Sequence, residues 1–340
     1  MSQPSTARRL LLPLTPLYRL ALAIRELRVE KGWEPVRRLR YPVISIGNLS
    51  TGGSGKTPLT IALAQALTGR GLNVDVLSRG YGRQSELAAR VDPYGAAEEF
   101  GDEPLLIAQE AGVPVYVAAQ RYQAGLLAEA AHIGSEGDLV HLLDDGFQHR
   151  QLHRDVDVLL LNEQDLTDRL LPAGNLREPL SAFRRATVLA VPADEPEVDR
   201  FLSETLPIDR GSELPRWTEP IWRIKRVVEV PPVDGPIFAF CGIARPEQFF
   251  EGLESAGLEV AGMIAFADHH SYTTSDLDRL VAAARASGAI ALISTEKDRV
   301  RLGKLAATLP ASLPLKIAKL RIEIEDEAAA VDWLAARLGI

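Results

Sequence analysis

The sequence predicts an α/β protein: a parallel sheet built around a phosphate-binding loop, then a second, smaller α/β unit joined to it by an extended β linker. Three observations predict this. Apolar runs of strand length alternate with helical-period runs across residues 41–216, as in a parallel sheet with crossover helices. The first strand runs into a glycine-rich loop and a helix. Residues 217–236 carry no helical period and are rich in proline and β-branched residues, after which the alternation restarts.

The chain of 340 residues opens on an unusual segment. Residues 1–40 hold nine basic and three acidic residues, a net of +6, whereas the whole chain has a formal charge of −8. Such asymmetry suits a surface-seeking end on an acidic body. A nucleic-acid-binding protein would carry its positive excess on the folded domain, so no nucleic-acid partner is expected. The run from Leu10 to Ile24 is too short and too interrupted, by Pro13, Pro16 and Arg19, to span a bilayer. No small-residue cleavage site follows it, so it is not read as a cleaved signal. After Pro16, residues Leu17, Leu20, Ile24 and Leu27 share one helical face. That face suits either an interfacial membrane helix or a helix packed on the protein's own core.

Apolar residues make up 46% of the chain and charged residues 25%, which excludes disorder for most of it. The single cysteine, Cys241, excludes a disulfide framework and a Cys-based zinc site. The expected strands are 41–46, 72–78, 113–118, 139–143, 156–161 and 187–191. The expected helices between them are 58–68, 103–111 and 122–132. Beyond the linker come strands 237–241, 259–265 and 289–294 with helices 246–256 and 275–287, then a last helix near 325–338. The domains are accordingly read as 1–40, 41–216, 217–236, 237–324 and 325–340.

Residues 50–57 read STGGSGKT against the phosphate-loop pattern G-x-x-x-x-G-K-[ST]. Gly55, Lys56 and Thr57 match, while Ser50 stands where the first glycine belongs. Thr51, Gly52, Gly53 and Ser54 complete a loop whose backbone N–H groups can turn onto an anion. A sheet of P-loop NTPase type follows, with Lys56 on nucleotide phosphates and Thr57 on Mg²⁺. Asp144 and Asp145 close an apolar strand, where such folds place the second magnesium-binding element. Asp102, in Gly101-Asp102-Glu103-Pro104, reads by itself as a cap of the helix that follows. Asp268-His269-His270 offers a proton acceptor, a metal pair or a surface pair, and composition does not separate these. Arg79 and Tyr81 lie in a glycine-rich loop after the second strand, suited to substrate contact or to packing.

Together these residues resemble the tetraacyldisaccharide 4′-kinases, the lipid A 4′-kinases of Gram-negative envelope synthesis. The resemblance rests on an ordered set: VISIGNLSTGGSGKTP (43–58), LSRGYGR (77–83), GDEP (101–104), DDGFQHRQLHRDVDVLLL (144–161), LPAGNLREP (171–179), FCGIARPEQF (240–249), ADHHSYT (267–273) and STEKDRVRL (294–302). It implies transfer of the γ-phosphate of ATP, with Mg²⁺, to the 4′-hydroxyl of tetraacyldisaccharide 1-phosphate, giving lipid IVA. It also implies a monotopic enzyme on the cytoplasmic face of the inner membrane, expected here as a monomer. By the same resemblance, Asp102 is the catalytic carboxylate, paired with His269. Glu103, Arg121, Arg177 and Glu178 become substrate or phosphate contacts. Glu296, Lys297 and Asp298 become a nucleotide-side loop. Two rival readings remain, a P-loop NTPase switch and a soluble small-molecule kinase. Neither needs both a proton acceptor shared between two domains and a membrane-seeking amino terminus.

Overall fold

The computed structural model describes residues 8, 10–53, 55–134, 136–206 and 218–340. Twelve strands among them form one sheet. They are β1 Val43–Asn48, β2 Asn73–Ser78, β3 Ala89–Arg90, β4 Val115–Val117, β5 Leu139–Asp144, β6 Val156–Leu160, β7 Val188–Pro192, β8 Ile221–Glu229, β9 Ile237–Cys241, β10 Val260–Ala265, β11 Ala291–Thr295 and β12 Leu315–Ile324. Their order across the sheet is β10-β9-β11-β12-β8-β7-β6-β1-β5-β2-β4-β3.

The helices in chain order are α1 Thr15–Glu30, α2 Lys56–Gly69, α3 Ala97–Phe100, α4 Asp102–Glu110, α5 Arg121–His132, α6 Glu163–Thr167, α7 Pro196–Thr205, α8 Pro246–Ser255, α9 Thr274–Ala286, α10 Glu296–Leu302 and α11 Glu327–Leu338. The strands β1, β5 and β6 are buried along their whole length, as inner strands of a parallel sheet covered on both faces are. The lone cysteine lies in β9 and is fully buried.

Strands β7, β6, β1, β5, β2 and β4 run parallel, as do β10, β9, β11 and β12. β8 joins the two sets. It pairs parallel with β7 and antiparallel with β12. The extended stretch expected as a linker is therefore itself a strand of the sheet; residue 217 at its start lies outside the described residues. The carboxy-terminal helix α11 buries Ala330, Val331 and Leu334 in the same core as Leu59 and Leu63 of α2 and Trp222 of β8. It thus docks on the first unit, although the chain reaches it from the second.

β1 lies between β5 and β6, with Ile46 level with Asp144 and Val158. The loops after β1, β2 and β5 therefore open at one edge of the sheet, where parallel α/β sheets bind ligands. Gly101 brings α4 to this edge. Its φ is +91°, and a Cβ there would lie 3.0 Å from the Tyr81 carbonyl oxygen, so the loop after β2 and the start of α4 touch backbone to backbone.

Helix α1 lies against the first unit through Tyr18 and Leu22, which pack on the core containing Leu49, Leu176 and Phe183. Leu17, Leu20, Ile24 and Leu27 are between 44% and 66% exposed. The apolar face read from the sequence thus points away from the protein. No helix among the described residues is long and apolar enough to cross a membrane.

Candidate active site

The site is built from loops at the edge where β1, β2 and β5 end. β1 finishes on Asn48, fully buried, and the chain turns through residues 49–55 into α2. Gly55 precedes the helix with φ +97°, a conformation only glycine holds without strain. The first N–H groups of α2 thereby remain free for an anion. Lys56 opens the helix; its ammonium donates to Asn48 Oδ1 at 2.9 Å and lies 3.6 Å from Asp145. Thr57 is buried beside it. Ser50 is buried and accepts from Asn48 Nδ2 at 3.1 Å, while the Thr51 N–H donates to the Asn175 carbonyl at 2.8 Å. Gly52 and Gly53 line the exposed part of the loop. Ser54 lies outside the described residues.

Asp144 and Asp145 are neighbours with opposite electrostatics. Asp144 is buried at the end of β5 and accepts from Ser78 Oγ at 3.2 Å and Thr60 Oγ1 at 3.4 Å. Burial, with the negative charges of Glu103 and Asp145 nearby, pushes its carboxyl up to about 7. Asp145 sits in the left-handed region at φ +48°. Arg177 grips it with a two-pronged fork, 2.8 Å on each oxygen. Burial works against its ionisation, but the Lys56 charge and the Arg177 fork outweigh it and hold the carboxyl well below its usual range.

The second unit supplies the other half of the site. His269, in the loop after β10, places Nδ1 3.0 Å from Asp102 Oδ2 at the start of α4, across 167 residues of chain. The Asp102 bond, followed by burial acting the other way, leaves His269 with a raised pKa. Arg301 of α10 donates Nε to the same oxygen at 2.8 Å and adds Nη2. Asp102 is buried, which disfavours its charge, but His269, Arg301 and Lys297 hold it well below the usual carboxylate range. Its other oxygen accepts the Glu103 N–H at 2.9 Å. His270 turns elsewhere, to Asp276 at 3.1 Å and onto the Phe266 ring. The two adjacent histidines therefore do not form a metal pair.

The remaining sequence-derived residues divide. Lys297 reaches Glu103 at 2.5 Å, and its charge is the largest influence lowering the Glu103 pKa. Glu296 and Asp298 have internal partners instead. Glu296 takes the Leu320 N–H at 3.1 Å and Arg321 at 3.0 Å. Asp298 takes the Gly242 N–H and the Tyr272 hydroxyl, both at 2.9 Å. Glu178 is buried against Arg185 at 2.6 Å. Arg121 opens α5 and is buried, with Nε lacking a hydrogen-bond partner. Burial lowers its pKa to about 10 against the pull of Asp145. Tyr81 is exposed and faces the His269 ring at 5.6 Å.

Asn48 and Arg301 were not singled out from the sequence. Asn48 is the node of the first half: its Oδ1 accepts from both Lys56 and Arg177, and its carbonyl from Gln148. A polar residue ending a mostly apolar strand, just before the glycine-rich loop, was its only local signal. Arg301 stands four residues after Lys297, a spacing that puts both on one helical face.

A helix start and a lysine suited to phosphate, together with a carboxylate–histidine pair supplied by two units, fit the class of phosphate-loop phosphotransferases. A nucleotide switch has no use for the second half. Comparison with known proteins gives the class its particular member. Residues 7–339 match the family described as tetraacyldisaccharide-1-P 4′-kinase. The tetraacyldisaccharide 4′-kinase of Koribacter versatilis is 39% identical over 330 residues, covering 94% of this chain and 96% of that one. The Aquifex aeolicus enzyme of the same name is 39% identical over 272 residues, 77% of this chain and 82% of its own. A crystal structure of Aquifex aeolicus LpxK in complex with ATP superposes with a TM-score of 0.72 at 32% identity, covering 98% of this chain and all of that one. The chain belongs to the tetraacyldisaccharide-1-P 4′-kinase family.

Proposed function

We propose that this chain is the ATP-dependent kinase that phosphorylates the 4′-hydroxyl of tetraacyldisaccharide 1-phosphate, giving lipid IVA in lipid A biosynthesis. The observation that supports the reading most is the 3.0 Å contact between His269 and Asp102, a pair suited to take a hydroxyl proton. Lys56 and the start of α2 bind the nucleotide phosphates. Arg177 and Arg121 add positive charge where the transferred group accumulates negative charge. The hydroxyl oxygen attacks the γ-phosphorus, its bond to the β-phosphate oxygen breaks, ADP leaves, and the hydroxyl proton passes to Asp102. A carboxylate held strongly ionised is a weak base, which suits a loose phosphoryl-transfer transition state. There the hydroxyl becomes acidic only late, and the carboxylate mainly orients it. His269 stabilises the charge and orientation of Asp102.

The site's oxygen donors suit Mg²⁺. Thr57 offers a buried hydroxyl, and Asp144 is a buried carboxyl crowded by Glu103 and Asp145 whose ionisation a divalent cation would favour. Thr57 and Asp144, with Asp145 beside them, would hold the ion, which would neutralise phosphate charge during transfer. Glu103 and Glu178 are assigned to substrate or phosphate contacts, held by their pairs with Lys297 and Arg185.

The acceptor's acyl chains stay in a bilayer, so the enzyme has to work at its surface. The outward face of α1 and the basic residues around it support an interfacial anchor on the cytoplasmic face of the inner membrane, in a monomeric enzyme. Separate variants test the roles. Lys56→Met should weaken ATP binding, whereas Asp102→Asn should lower kcat by about a hundredfold or more with ATP binding retained. Loss of ATP binding in Asp102→Asn would contradict the role given to Asp102.

A further inference from the structure

All the side-chain contacts of Asp102 converge on Oδ2, and the shortest comes from a residue with no role so far. Arg301 is 5% exposed in its side chain. It is anchored in the second unit by the Gly242 carbonyl, to which Nη1 donates, and by Asp298 at 3.5 Å. Asp298 is in turn fixed by the Gly242 N–H and the Tyr272 hydroxyl. From that anchorage the guanidinium reaches across to Asp102, while also lying 3.2 Å from His269 Nδ1. Its neighbours on α10 cross to α4 as well, but to other groups. Lys297 meets Glu103, and Arg299 meets Gln109 and Glu110.

We propose that Arg301 is a positioning residue for phosphoryl transfer: its fork occupies Asp102 Oδ2, fixes the carboxylate in one orientation, and leaves Oδ1, which accepts the Glu103 N–H, with a second lone pair to take the hydroxyl proton. Assembly of the Asp102–His269 pair then depends on α10 docking against α4, so the proton acceptor is complete only when the two units are together. An arginine suits this task better than a lysine, because a planar fork sets orientation as well as charge. The proposal rests on the reading of Asp102 as proton acceptor.

The charged groups facing Asp102 are His269 and Asp268 from the loop after β10, Glu103 on its own helix, and Lys297, Asp298 and Arg301 from α10. Removing Arg301 takes away a cation in direct contact, so Asp102 protonates at higher pH.

The test measures kcat and both KM values, in detergent micelles, for the parent chain, Arg301→Gln, Arg301→Lys, Arg299→Gln and Asp102→Asn. Arg301→Gln should lower kcat about tenfold or more while keeping KM for ATP within about twofold. Arg301→Lys should recover part of kcat. Arg299→Gln, which loses contacts to α4 but none to Asp102, should keep the parental kcat and KM. Parental kcat in Arg301→Gln, a loss carried by KM for ATP instead of kcat, or a loss that lysine does not partly restore, overturns the proposal. Should Arg301→Gln fail to fold, Arg301→Lys decides. Parental kcat then overturns the proposal, and reduced kcat with parental KM for ATP and parental melting supports it. Parental kcat in Asp102→Asn would instead remove the underlying reading of Asp102, which separates the two failures.

Discussion

Asp144 and Asp145 show how one residue's step along the chain reverses its chemistry. The first remains on β5 among hydroxyl donors and carries an upward-shifted pKa; the second turns into the left-handed region and meets two cations. The Asp-Asp pair was legible in the sequence, but this division was not, because it depends on Arg177 from 32 residues further on. Asn48 was missed for the same reason. Its buried amide gains meaning only from Lys56 and Arg177, whose donors it accepts. Asn48→Ala leaves both cations short of an acceptor, so it should destabilise the protein by about 1–3 kcal/mol and raise KM for ATP. Parental melting and KM would show that the node is dispensable.

Away from the site, His141 is fully buried and 2.7 Å from Asp75, with Glu129 at 3.6 Å. Burial opposes its charge, but Asp75 and Glu129 prevail and raise its pKa from 6.5 to about 9. A raised histidine contributes fully below its unfolded pKa and loses that contribution as pH rises through the folded one. Stability should therefore fall by up to about 3 kcal/mol as pH passes from about 7 to above 9, a limb that His141→Gln should lack in pH-dependent melting.

At the scale of elements, two interlocks position the chemistry. α4 and α10 are joined by opposite charges, Asp102 to Arg301, Glu103 to Lys297, and Glu110 to Arg299. α1 is tied to the site it serves: the Tyr18 hydroxyl donates to the Arg177 carbonyl at 2.9 Å, Arg25 to the Gln148 carbonyl, and Glu26 pairs with Arg150. Its outer face is left without protein contacts to bury it. Leu17→Ser, Leu20→Ser and Ile24→Ser together should reduce co-sedimentation with anionic vesicles at high salt, where charge attraction is screened. Undiminished sedimentation would remove α1 as the anchor. Strong local patterns made most elements legible. β12 was not among them, because Lys319 and Arg321 interrupt its apolar residues, and their charges make sense only opposite Glu110 and Glu296.

At the scale of the molecule, the linker expected between domains is the strand that makes one sheet of two units. β8 bonds to both, and Trp222 on it packs edge-on against Trp333 of α11 at 6.5 Å. Extended conformation was legible from residues 217–236, but partnership was not, since the prolines point to a connector and only the proline-free, β-branched run Ile221–Glu229 suits an inner strand. Such continuity predicts joint unfolding, with tryptophan fluorescence and far-UV circular dichroism giving coincident denaturant transitions. Separated transitions would mean that the units unfold independently.

The destination of the phosphate separates a lipid kinase from an enzyme that only hydrolyses ATP. Incubation with γ-labelled ATP, Mg²⁺ and tetraacyldisaccharide 1-phosphate in detergent, followed by phosphorus NMR of the recovered lipid, tests it most directly. A new phosphomonoester at the 4′ position, absent with Asp102→Asn, is the predicted result. Label released as free phosphate from a folded, ATP-binding sample, with the lipid unchanged, would contradict it.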